Sequence, residues 1–301
     1  MRSLHAAVKE IRYRLRPTTL RKPLVWLRHW GLGPNDVFLA SHQRSGSTWL
    51  RFLLCEVLTK SSADFNSVRL TLPDIRHHRQ GLKLAGDGRL IKTHEPYREV
   101  YKKAIYIVRD PRDVAVSLHE YDRPSQGFDR FVSSFVQGKA TAHGSWYRNV
   151  RSWLDSPLVG NGNLLLVKYE TMRADPQGAL VSILQFLGGP IEPEAIRSAI
   201  ANNSLHGMRA KEDRARATGL EVSGEKIRSR GRGVRNGLVG EWRARLTEAQ
   251  AKLIEDHAGE LLAKLGYAGH LTPCEAKVES ESGAGLDDTG LVQEFGGATS
   301  T

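Results

Sequence analysis

The chain has 301 residues, of which 40% are hydrophobic and 26% are charged, and this composition excludes collagen-like, low-complexity and disulfide-scaffold proteins. Its longest uninterrupted apolar run, residues 104–108, is far shorter than the roughly 20 residues of a membrane-spanning helix. The formal net charge of +11 indicates an anionic partner, such as nucleic acid, a membrane surface or a multiply charged small molecule.

Residues 1–34 are predicted to form a basic helical extension. Residues 1–30 contain eight lysine and arginine side chains and one glutamate, and apolar residues recur at helical spacing over residues 4–15. Such a helix can rest on an anionic membrane, but a peripheral helix with a solvated charged face is the favoured interpretation. The two distant cysteines, Cys55 and Cys274, favour a reducing compartment. We therefore expect a cytoplasmic protein, with peripheral contact at the inner membrane surface as the minor alternative.

Strand-like and helix-like segments alternate over residues 35–270, which predicts one α/β domain with three layers and a central, mostly parallel sheet. Asp110 and Pro111 suit the N-cap and the first turn of a helix that ends at about Tyr121. The strands are predicted at residues 37–40, 90–91, 104–108 and 164–167, and the other helices at residues 49–57, 145–154, 176–187, 192–201 and 247–265.

Two segments lack this periodicity. Residues 205–245 contain eleven basic and five acidic side chains and are predicted to form a mobile basic loop. Residues 271–301 are acidic and rich in glycine and serine, which predicts a disordered tail. The chain is therefore expected to consist of an extension, one folded domain and a tail.

The first predicted strand leads into a loop, residues 42–48, with the composition of a phosphate site. Its glycine permits close backbone approach, its hydroxyls can donate hydrogen bonds, and the following helix offers unpaired N–H groups and a positive dipole end. Arg44 adds a positive charge. The loop lacks the second glycine and the lysine of a Walker A sequence, which disfavours an ordinary ATP or GTP hydrolase with a P-loop.

Four segments resemble, in the same order, the motifs of the sulfotransferases that use 3′-phosphoadenosine 5′-phosphosulfate (PAPS). Residues 44–49, Arg-Ser-Gly-Ser-Thr-Trp, resemble the P-loop-like 5′-phosphosulfate loop of that family, and residues 92–96, Lys-Thr-His-Glu-Pro, are similar to its Lys-Thr-His-x-Pro catalytic segment. Residues 106–117 match its 3′-phosphate segment, and residues 235–242, Arg-Asn-Gly-Leu-Val-Gly-Glu-Trp, resemble its Arg-Lys-Gly-x-x-Gly-Asp-Trp signature. Because several motifs in order are more specific than one, the chain is identified as a member of the family, of the cytosolic type.

The resemblance implies a site for each end of PAPS and a reaction centre between them. His94 would remove the proton from the acceptor hydroxyl, a role that neutral imidazole suits near pH 7, and Lys92 and Arg44 would hold the transferring group and the leaving phosphate. The implied co-substrate is PAPS, the implied product is adenosine 3′,5′-bisphosphate (PAP), and no metal is required. The residues implied to bind PAPS are Arg44, Ser45, Gly46, Ser47, Thr48, Trp49, Arg109, Ser117, Tyr169, Arg235, Asn236 and Gly237.

Two departures from the family pattern bear on function. Arg44 stands where the family has a lysine, and its permanently charged guanidinium is a poor proton donor to the leaving group. An Arg-Ser-Gly-Ser loop also resembles carbohydrate sulfotransferases. Asn236 replaces a lysine near the 3′-phosphate. The implied acceptor is a hydroxyl of a small molecule, carbohydrate or glycolipid, selected by loops at residues 60–90, 121–145 and 205–232.

Two other classes of function stay open at this point. A divergent P-loop-like small-molecule kinase would use Asp110 and Asp113 as carboxylates for Mg²⁺, although the Walker lysine is absent. A basic nucleic-acid-binding protein would use the positive charge of residues 1–30 and 205–245. The favoured interpretation includes no nucleic-acid partner, because a polyanionic nucleotide accounts for the second basic segment.

Overall fold

The computed structural model describes residues 22–84, 86–122, 124, 127–141, 143–222, 225–226 and 231–267. The helix predicted over residues 4–15 and the tail predicted over residues 271–301 lie outside these residues. Within the described part of the chain, no helix is both long and apolar enough to cross a membrane.

Helices and short strands alternate along the chain. The strands are β1 (Val37–Ser41), β2 (Leu90–Thr93), β3 (Lys103–Val108), β4 (Leu164–Lys168), β5 (Glu221–Val222) and β6 (Glu225–Lys226). The helices are α1 (Lys22–His29), α2 (Ser47–Thr59), α3 (Phe65–Thr71), α4 (Pro111–Asp122), α5 (Phe128–Val136), α6 (Trp146–Leu154), α7 (Pro157–Gly160), α8 (Tyr169–Ala174), α9 (Pro176–Leu187), α10 (Pro193–Asn202), α11 (Leu205–Ala217), α12 (Trp242–Arg245), α13 (Glu248–Ala258) and α14 (Glu260–Lys264), with a short 3₁₀ turn at His78–Gln80.

The central sheet has the order β2-β1-β3-β4, and every adjacent pair is parallel. Phe38 of β1 lies in register with Ile91 of β2 on one side and Ala104 of β3 on the other. β1 is buried on both faces, so its apolar residues are consecutive instead of alternating. The four strands predicted from the sequence are therefore confirmed, each slightly longer than expected.

The pleat of the strands separates two hydrophobic cores, because successive side chains point to opposite faces of the sheet. Phe38 and Tyr106 lie in the first core with α4, α5, α6, α13 and α14. Leu39 and Ile105 lie in the second core with α2, α3 and the helices α8 to α11. Helices thus cover both faces of a parallel sheet, which confirms the predicted three-layer α/β fold.

The carboxyl ends of the four parallel strands form one edge, and a predicted site residue follows each strand. The phosphate-type loop follows β1, His94 follows β2, Arg109 follows β3 and Tyr169 follows β4. The chain order reverses at β1, since β2 lies on one side of it and β3 on the other. Such a switch point opens a crevice in which α/β proteins bind ligands.

The prediction of a mobile loop over residues 205–245 is wrong for its first third and for its last four residues, Trp242–Arg245, which form α12. Residues Leu205–Ala217 form α11, whose buried face includes Lys211 and Glu212. Lys211 Nζ lies 2.6 Å from Oε1 of Glu56 on α2. Because this face buries charged groups, hydrophobic periodicity does not detect the helix.

The single helix predicted over residues 247–265 is also wrong. α13 ends before Gly259, which has a φ of 51° and a ψ of −128°, and α14 begins directly after it. Glycine adopts positive φ without the steric cost that other residues meet. The break between α13 and α14 is therefore explained by Gly259, in a segment whose pattern is otherwise helical.

Candidate active site

The loop between β1 and α2 brings backbone donors to the crevice. α2 begins at Ser47, and its N-cap residue, Gly46, has a left-handed φ of 98° and makes no side-chain cap. The first-turn N–H groups have no acceptor within the helix. Ser45 is buried in this loop, whereas the side chain of Thr48 is exposed. Such a helix N-terminus binds an anionic group readily.

His94 follows β2 with one ring nitrogen fixed by the neighbouring strand. Its Nδ1 lies 2.8 Å from the backbone carbonyl oxygen of Ser41 and 3.3 Å from Ser41 Oγ. A carbonyl oxygen only accepts hydrogen bonds, so Nδ1 carries the proton of the neutral ring and Nε2 keeps a lone pair. Asn149 of α6 donates through Nδ2 to the backbone carbonyl of His94 at 3.0 Å, which holds the segment in position.

The surroundings of His94 keep its ring neutral. Burial, the charge of Lys92 and the ring of His143 lower the pKa of His94 well below its ordinary value. The two histidine rings have their centres 5.5 Å apart. Near pH 7 the imidazole is therefore in the form that accepts a proton.

Lys92 is paired with a carboxylate from an earlier loop. Its Nζ donates to Asp74 Oδ2 at 2.9 Å, and Arg76 Nε donates to Asp74 Oδ1 at 3.0 Å. Burial opposes ionisation of Asp74, but the charges of Lys92 and Arg76 outweigh it and hold the pKa of Asp74 well below its ordinary value. The backbone N–H of Lys92 also donates to the carbonyl of Pro73 at 2.8 Å. The ammonium group is thus fixed in direction near His94.

Arg109 joins the first loop to a later segment of the chain. Its guanidinium lies over the ring of Tyr169, 4.4 Å from the ring centre. Its Nη1 donates to the carbonyl of Arg44 at 3.3 Å, and its Nη2 donates to the carbonyl of Leu238 at 2.9 Å. The side chain is buried, so its charge acts in a region of low dielectric constant.

Arg44 extends from the first loop toward α4. Its Nε donates to Ser117 Oγ at 3.1 Å, and its Nη2 donates to the carbonyl of Gly233 at 2.9 Å. The guanidinium also packs over the ring of Tyr121, 4.4 Å from its centre. The guanidinium of Arg44 therefore lies against Ser117, the residue predicted to bind the 3′-phosphate.

Two aromatic side chains flank the crevice from separate helices. Trp49 of α2 donates through Nε1 to the carbonyl of Asn203 at 2.9 Å, and the guanidinium of Arg173 lies 5.1 Å from the centre of its ring. Tyr169 of α8 donates through its hydroxyl to the carbonyl of Gly237 at 3.3 Å. Burial raises the pKa of Tyr169, so its hydroxyl stays protonated as a donor.

The last predicted motif, residues 235–242, is stabilised partly by contacts among its own residues. The guanidinium of Arg235 pairs through both terminal nitrogens with the carboxylate of Glu241. Asn236 Oδ1 accepts the N–H of Leu238 at 3.3 Å, and Gly237 has a left-handed φ of 62°. The motif therefore forms a tight turn beside Tyr169.

The two carboxylates considered for Mg²⁺ have other contacts. Asp113 accepts the backbone N–H groups of Gly240 and Trp242 at 2.8 and 3.0 Å. Asp110 binds the guanidinium of Arg112, with 2.7 Å between Asp110 Oδ2 and Arg112 Nη2. Asp113 anchors the later segment to α4 and Asp110 fixes the side chain of Arg112, and these contacts give no support to the kinase alternative.

Comparison with known proteins agrees with this geometry. A family model described as "Sulfotransferase domain" matches residues 34–266. The chain belongs to the sulfotransferase domain family. Human sulfotransferase 2B1 is 28% identical over 249 residues, which cover 73% of this sulfotransferase and 64% of the human protein, slightly less than two thirds of its length. The 3-beta-hydroxysteroid sulfotransferase of Cavia porcellus is 28% identical over 260 residues, which cover 80% and 87% of the two chains.

A solved structure shares the fold of this sulfotransferase. The crystal structure of mouse sulfotransferase SULT7A1 complexed with PAP superposes with a TM-score of 0.58 and 22% identity, covering 81% of this chain and 92% of the mouse chain. The family assignment confirms the reaction class predicted from the motifs, sulfuryl transfer. It favours that prediction over the kinase and the nucleic-acid-binding alternatives.

Buried donors of the sulfotransferase test whether its residues fit PAPS. Ser45 Oγ, Arg109 Nε and Arg235 Nε are buried and find no hydrogen-bond partner among the described residues. A buried donor left unpaired costs about 1–3 kcal/mol. Phosphate and sulfate oxygens would satisfy such donors, so the donor set fits a ligand with several anionic groups.

The sequence motifs miss three neighbours of the catalytic segment in this sulfotransferase. Asp74 contacts Lys92, His143 lies beside His94, and Asn149 holds the backbone of His94. Asn149 lies on the helix predicted at residues 145–154, but no motif distinguishes this buried polar residue. Asp74 and His143 lie in loops predicted to select the acceptor, and no local pattern distinguishes them there.

Gly46→Ala is expected to weaken PAP binding to this sulfotransferase by about tenfold or more and to lower its stability by more than about 1 kcal/mol. A Cβ at this position would lie 2.4 Å from Cδ2 of Tyr169, and the left-handed φ adds strain. Relief would push the first loop and Tyr169 apart. Calorimetric titration with PAP and thermal unfolding measure the two effects.

Gly162→Ala is the matched control, because Gly162 has a φ of 67° but no atom lies within 4 Å of the position that its Cβ would take. This variant should lose about 1 kcal/mol through strain alone and bind PAP normally. Equal effects of the two substitutions would contradict the contact between Gly46 and Tyr169 as the cause.

Proposed function

We propose that this sulfotransferase transfers the sulfuryl group of PAPS to an acceptor hydroxyl, with His94 Nε2 as the general base. The observation that carries the proposal is the hydrogen bond from Nδ1 to the carbonyl of Ser41, which leaves the Nε2 lone pair for the acceptor. His94 takes the proton as the acceptor oxygen forms its bond to sulfur and the bond between sulfur and the 5′-phosphate oxygen breaks. This balance requires no oxidant and no further reactant.

Lys92 acts as the cation of the reaction centre. Its ammonium stabilises the negative charge that spreads over the oxygens of the transferring group and the leaving phosphate. The 2.9 Å contact with Asp74 supports a fixed direction for this charge, which lowers the reorganisation needed during transfer.

Ser117 and Arg109 bind the 3′-phosphate, and residues 45–48 of the first loop bind the 5′-phosphosulfate. The motif implied that Arg44 contacts the leaving phosphate, but its guanidinium donates to Ser117 Oγ, so we assign it to the 3′-phosphate. Arg44 connects the two sites because its backbone belongs to the loop and its side chain contacts Ser117. Arg235, Asn236 and Gly237 complete the 3′-phosphate site, and Trp49 and Tyr169 hold the adenine. The buried unpaired donors support this assignment of anionic groups.

We propose that the chain consists of one catalytic domain with an extension at each end. Residues 35–270 form the catalytic domain, residues 1–34 a basic extension and residues 271–301 an acidic tail. The family match over residues 34–266 supports the limits of the domain.

The acceptor that we infer is an amphiphilic molecule with a hydroxyl group, such as a glycolipid. α1 supports this class, because Arg28 pairs with Glu95, the residue after His94, at 3.5 Å. The same helix and the residue after it expose Trp26, Leu27 and Trp30, with 61%, 61% and 52% of their surface accessible. An exposed apolar face on a helix that is tied to the catalytic segment suits an acceptor with an apolar portion. The Cavia porcellus relative is a hydroxysteroid sulfotransferase by name.

The test of the proposed function starts with PAP and then uses labelled PAPS. Calorimetry should detect PAP binding that is much tighter than binding of adenosine 5′-monophosphate (AMP), which lacks the 3′-phosphate. PAPS labelled in the sulfuryl group should then pass its label to members of an acceptor panel that contains a hydroxysteroid, a glycolipid, a simple phenol and a free sugar. Equal affinity for PAP and AMP would refute the nucleotide assignment, and labelling of the free sugar alone would refute the amphiphilic acceptor.

The exposed face of α1 is expected to bind anionic membranes at the surface. Tryptophan side chains and flanking basic residues favour the interface between lipid headgroups and acyl chains. A double substitution, Trp26→Ser with Trp30→Ser, should reduce sedimentation with phosphatidylglycerol-containing vesicles by about fivefold or more. Val159→Ser, which changes a half-exposed apolar residue of α7, should sediment like the wild type. Absence of wild-type sedimentation would end this proposal.

A further inference from the structure

α11 carries a buried carboxylate that binds the backbone of a distant segment. Glu212 is inaccessible to solvent, and its Oε1 accepts the N–H of Gly233 while its Oε2 accepts the N–H of Val234, both at 2.8 Å. Arg216, one turn later, donates through Nε to Oε1 at 3.1 Å. Both carboxylate oxygens are therefore used, which offsets the cost of burying the charge.

The carbonyl oxygens of the same segment accept hydrogen bonds from arginines that we assign to the nucleotide site. Gly233 accepts from Arg44 Nη2 at 2.9 Å, and Leu238 accepts from Arg109 Nη2 at 2.9 Å. The carbonyl of Arg235 accepts from Arg209 of α11 at 2.9 Å. We call residues 231–238 the closing segment. Two of its N–H groups donate hydrogen bonds to a carboxylate, and the carbonyl oxygens of Gly233, Arg235 and Leu238 accept hydrogen bonds from arginines.

A carboxylate is required for this arrangement, since both of its oxygens are acceptors. A glutamine at the same position would present one oxygen and one NH₂ group, and the NH₂ would face a backbone N–H that also needs an acceptor. An aspartate would keep the charge but its shorter side chain would reach the two N–H groups less well. Substitutions of Glu212 therefore separate the effects of the charge, the length and the acceptor groups of its side chain.

We propose that Glu212 is a positioning residue for recognition of the 3′-phosphate. By fixing the backbone of Gly233 and Val234, it sets the position of Arg235, the next residue, and keeps the carbonyl that orients Arg44. Glu212 does not touch the nucleotide in this proposal. The inference rests on the proposed binding of PAP by Arg44 and Arg235 and adds a residue outside every recognised motif.

The experiment compares PAP with AMP, because only PAP has the 3′-phosphate. In the wild type, the ratio of the two dissociation constants measures recognition of that phosphate. Glu212→Gln should lower the ratio by about tenfold, which corresponds to about 1.4 kcal/mol, and should leave AMP affinity within about twofold of the wild type. Glu212→Asp should fall between these values. Thermal unfolding of each variant identifies any that fail to fold.

The matched control is Asp213→Asn, which alters the adjacent residue of α11. Asp213 is half exposed and pairs with Arg232 of the closing segment at 2.8 Å, so this variant loses a tie to the same segment without changing the buried contact. It should keep the wild-type ratio. A retained ratio in Glu212→Gln, an equal loss of PAP and AMP affinity, or an equal loss in Asp213→Asn would overturn the proposal.

Failure of the inference differs from failure of the proposed function. If the wild type itself binds PAP and AMP equally, the nucleotide assignment is wrong. If the wild type prefers PAP and Glu212→Gln keeps that preference, only the role of Glu212 is wrong. Should Glu212→Gln not fold, the ratio for Glu212→Asp decides the question, since an unchanged ratio there overturns the proposal.

Discussion

Replacement of His94 by asparagine is expected to lower kcat for sulfuryl transfer by about 10²–10⁴-fold, the usual contribution of a general base. Asparagine retains a polar side chain of similar size but cannot accept a proton near pH 7. PAP affinity should stay within about twofold of the wild type, because the loss affects the reaction step and not nucleotide binding. Transfer of label from PAPS to the best acceptor of the panel measures kcat, and calorimetry measures PAP binding.

His257→Asn is the control, since His257 is an exposed histidine on α13. This variant should retain wild-type kcat. Equal losses in both variants, or a loss of PAP affinity in His94→Asn that accounts for its lower rate, would contradict the assignment of His94 as the base.

The pH profile gives a second test of His94. The base must be unprotonated, and burial, Lys92 and His143 lower its pKa well below the ordinary value of 6.5. As the pH falls, kcat/KM should therefore stay level through 6.5 and decline only below it. An acid limb centred above 6.5 would contradict this assignment. Because burial also lowers the pKa of Lys92 from 10.5, loss of its charge should begin below that value on the alkaline side.

Arg109→Ala is expected to weaken PAP binding by about 100-fold or more, since a charge-assisted hydrogen bond contributes about 1.5–3 kcal/mol and each 1.4 kcal/mol is a factor of ten. The guanidinium is buried against Tyr169 and also holds the carbonyls of Arg44 and Leu238. Its removal takes away both the proposed phosphate ligand and a contact between the first loop and the closing segment. AMP affinity should change by less than about fivefold, because the 3′-phosphate is absent from AMP.

Two further variants make the result for Arg109 specific. Arg109→Lys keeps the charge but not the two-pronged donor, and it should lose less PAP affinity than Arg109→Ala. Arg151→Ala removes an exposed arginine that pairs with Asp155 on α6 and should bind PAP normally. Equal weakening of PAP and AMP in Arg109→Ala would mean that Arg109 supports the fold of the crevice and does not recognise the 3′-phosphate.

The sequence by itself determined the parallel sheet, about half of the helices around it and the family. Consecutive apolar residues, capping residues such as Asp110 and the motif residues around Arg44, His94 and Arg109 are local features. Such features can be read from the sequence alone, because residues that are close along a strand or a helix turn are also close in space. The reaction class and PAPS follow from these motifs.

The sequence pattern does not predict α11. Its buried face carries Lys211 and Glu212, which bind Glu56 and the closing segment, so charged residues occupy positions where the pattern requires apolar ones. Whether they are buried and paired depends on partners far along the chain, and only the folded structure provides those partners.

Only the tertiary structure decided the tautomer of His94 and the partner of Lys92. Ser41 and His94 are 53 positions apart but meet because β1 and β2 are parallel neighbours. Asp74 meets Lys92 because the two residues pair in an isolated parallel β-bridge at the edge of β2. These contacts fix the electrostatics of the reaction centre. Sequence spacing does not specify them, since the direction of a hydrogen bond and the burial of a charge depend on which elements pack together.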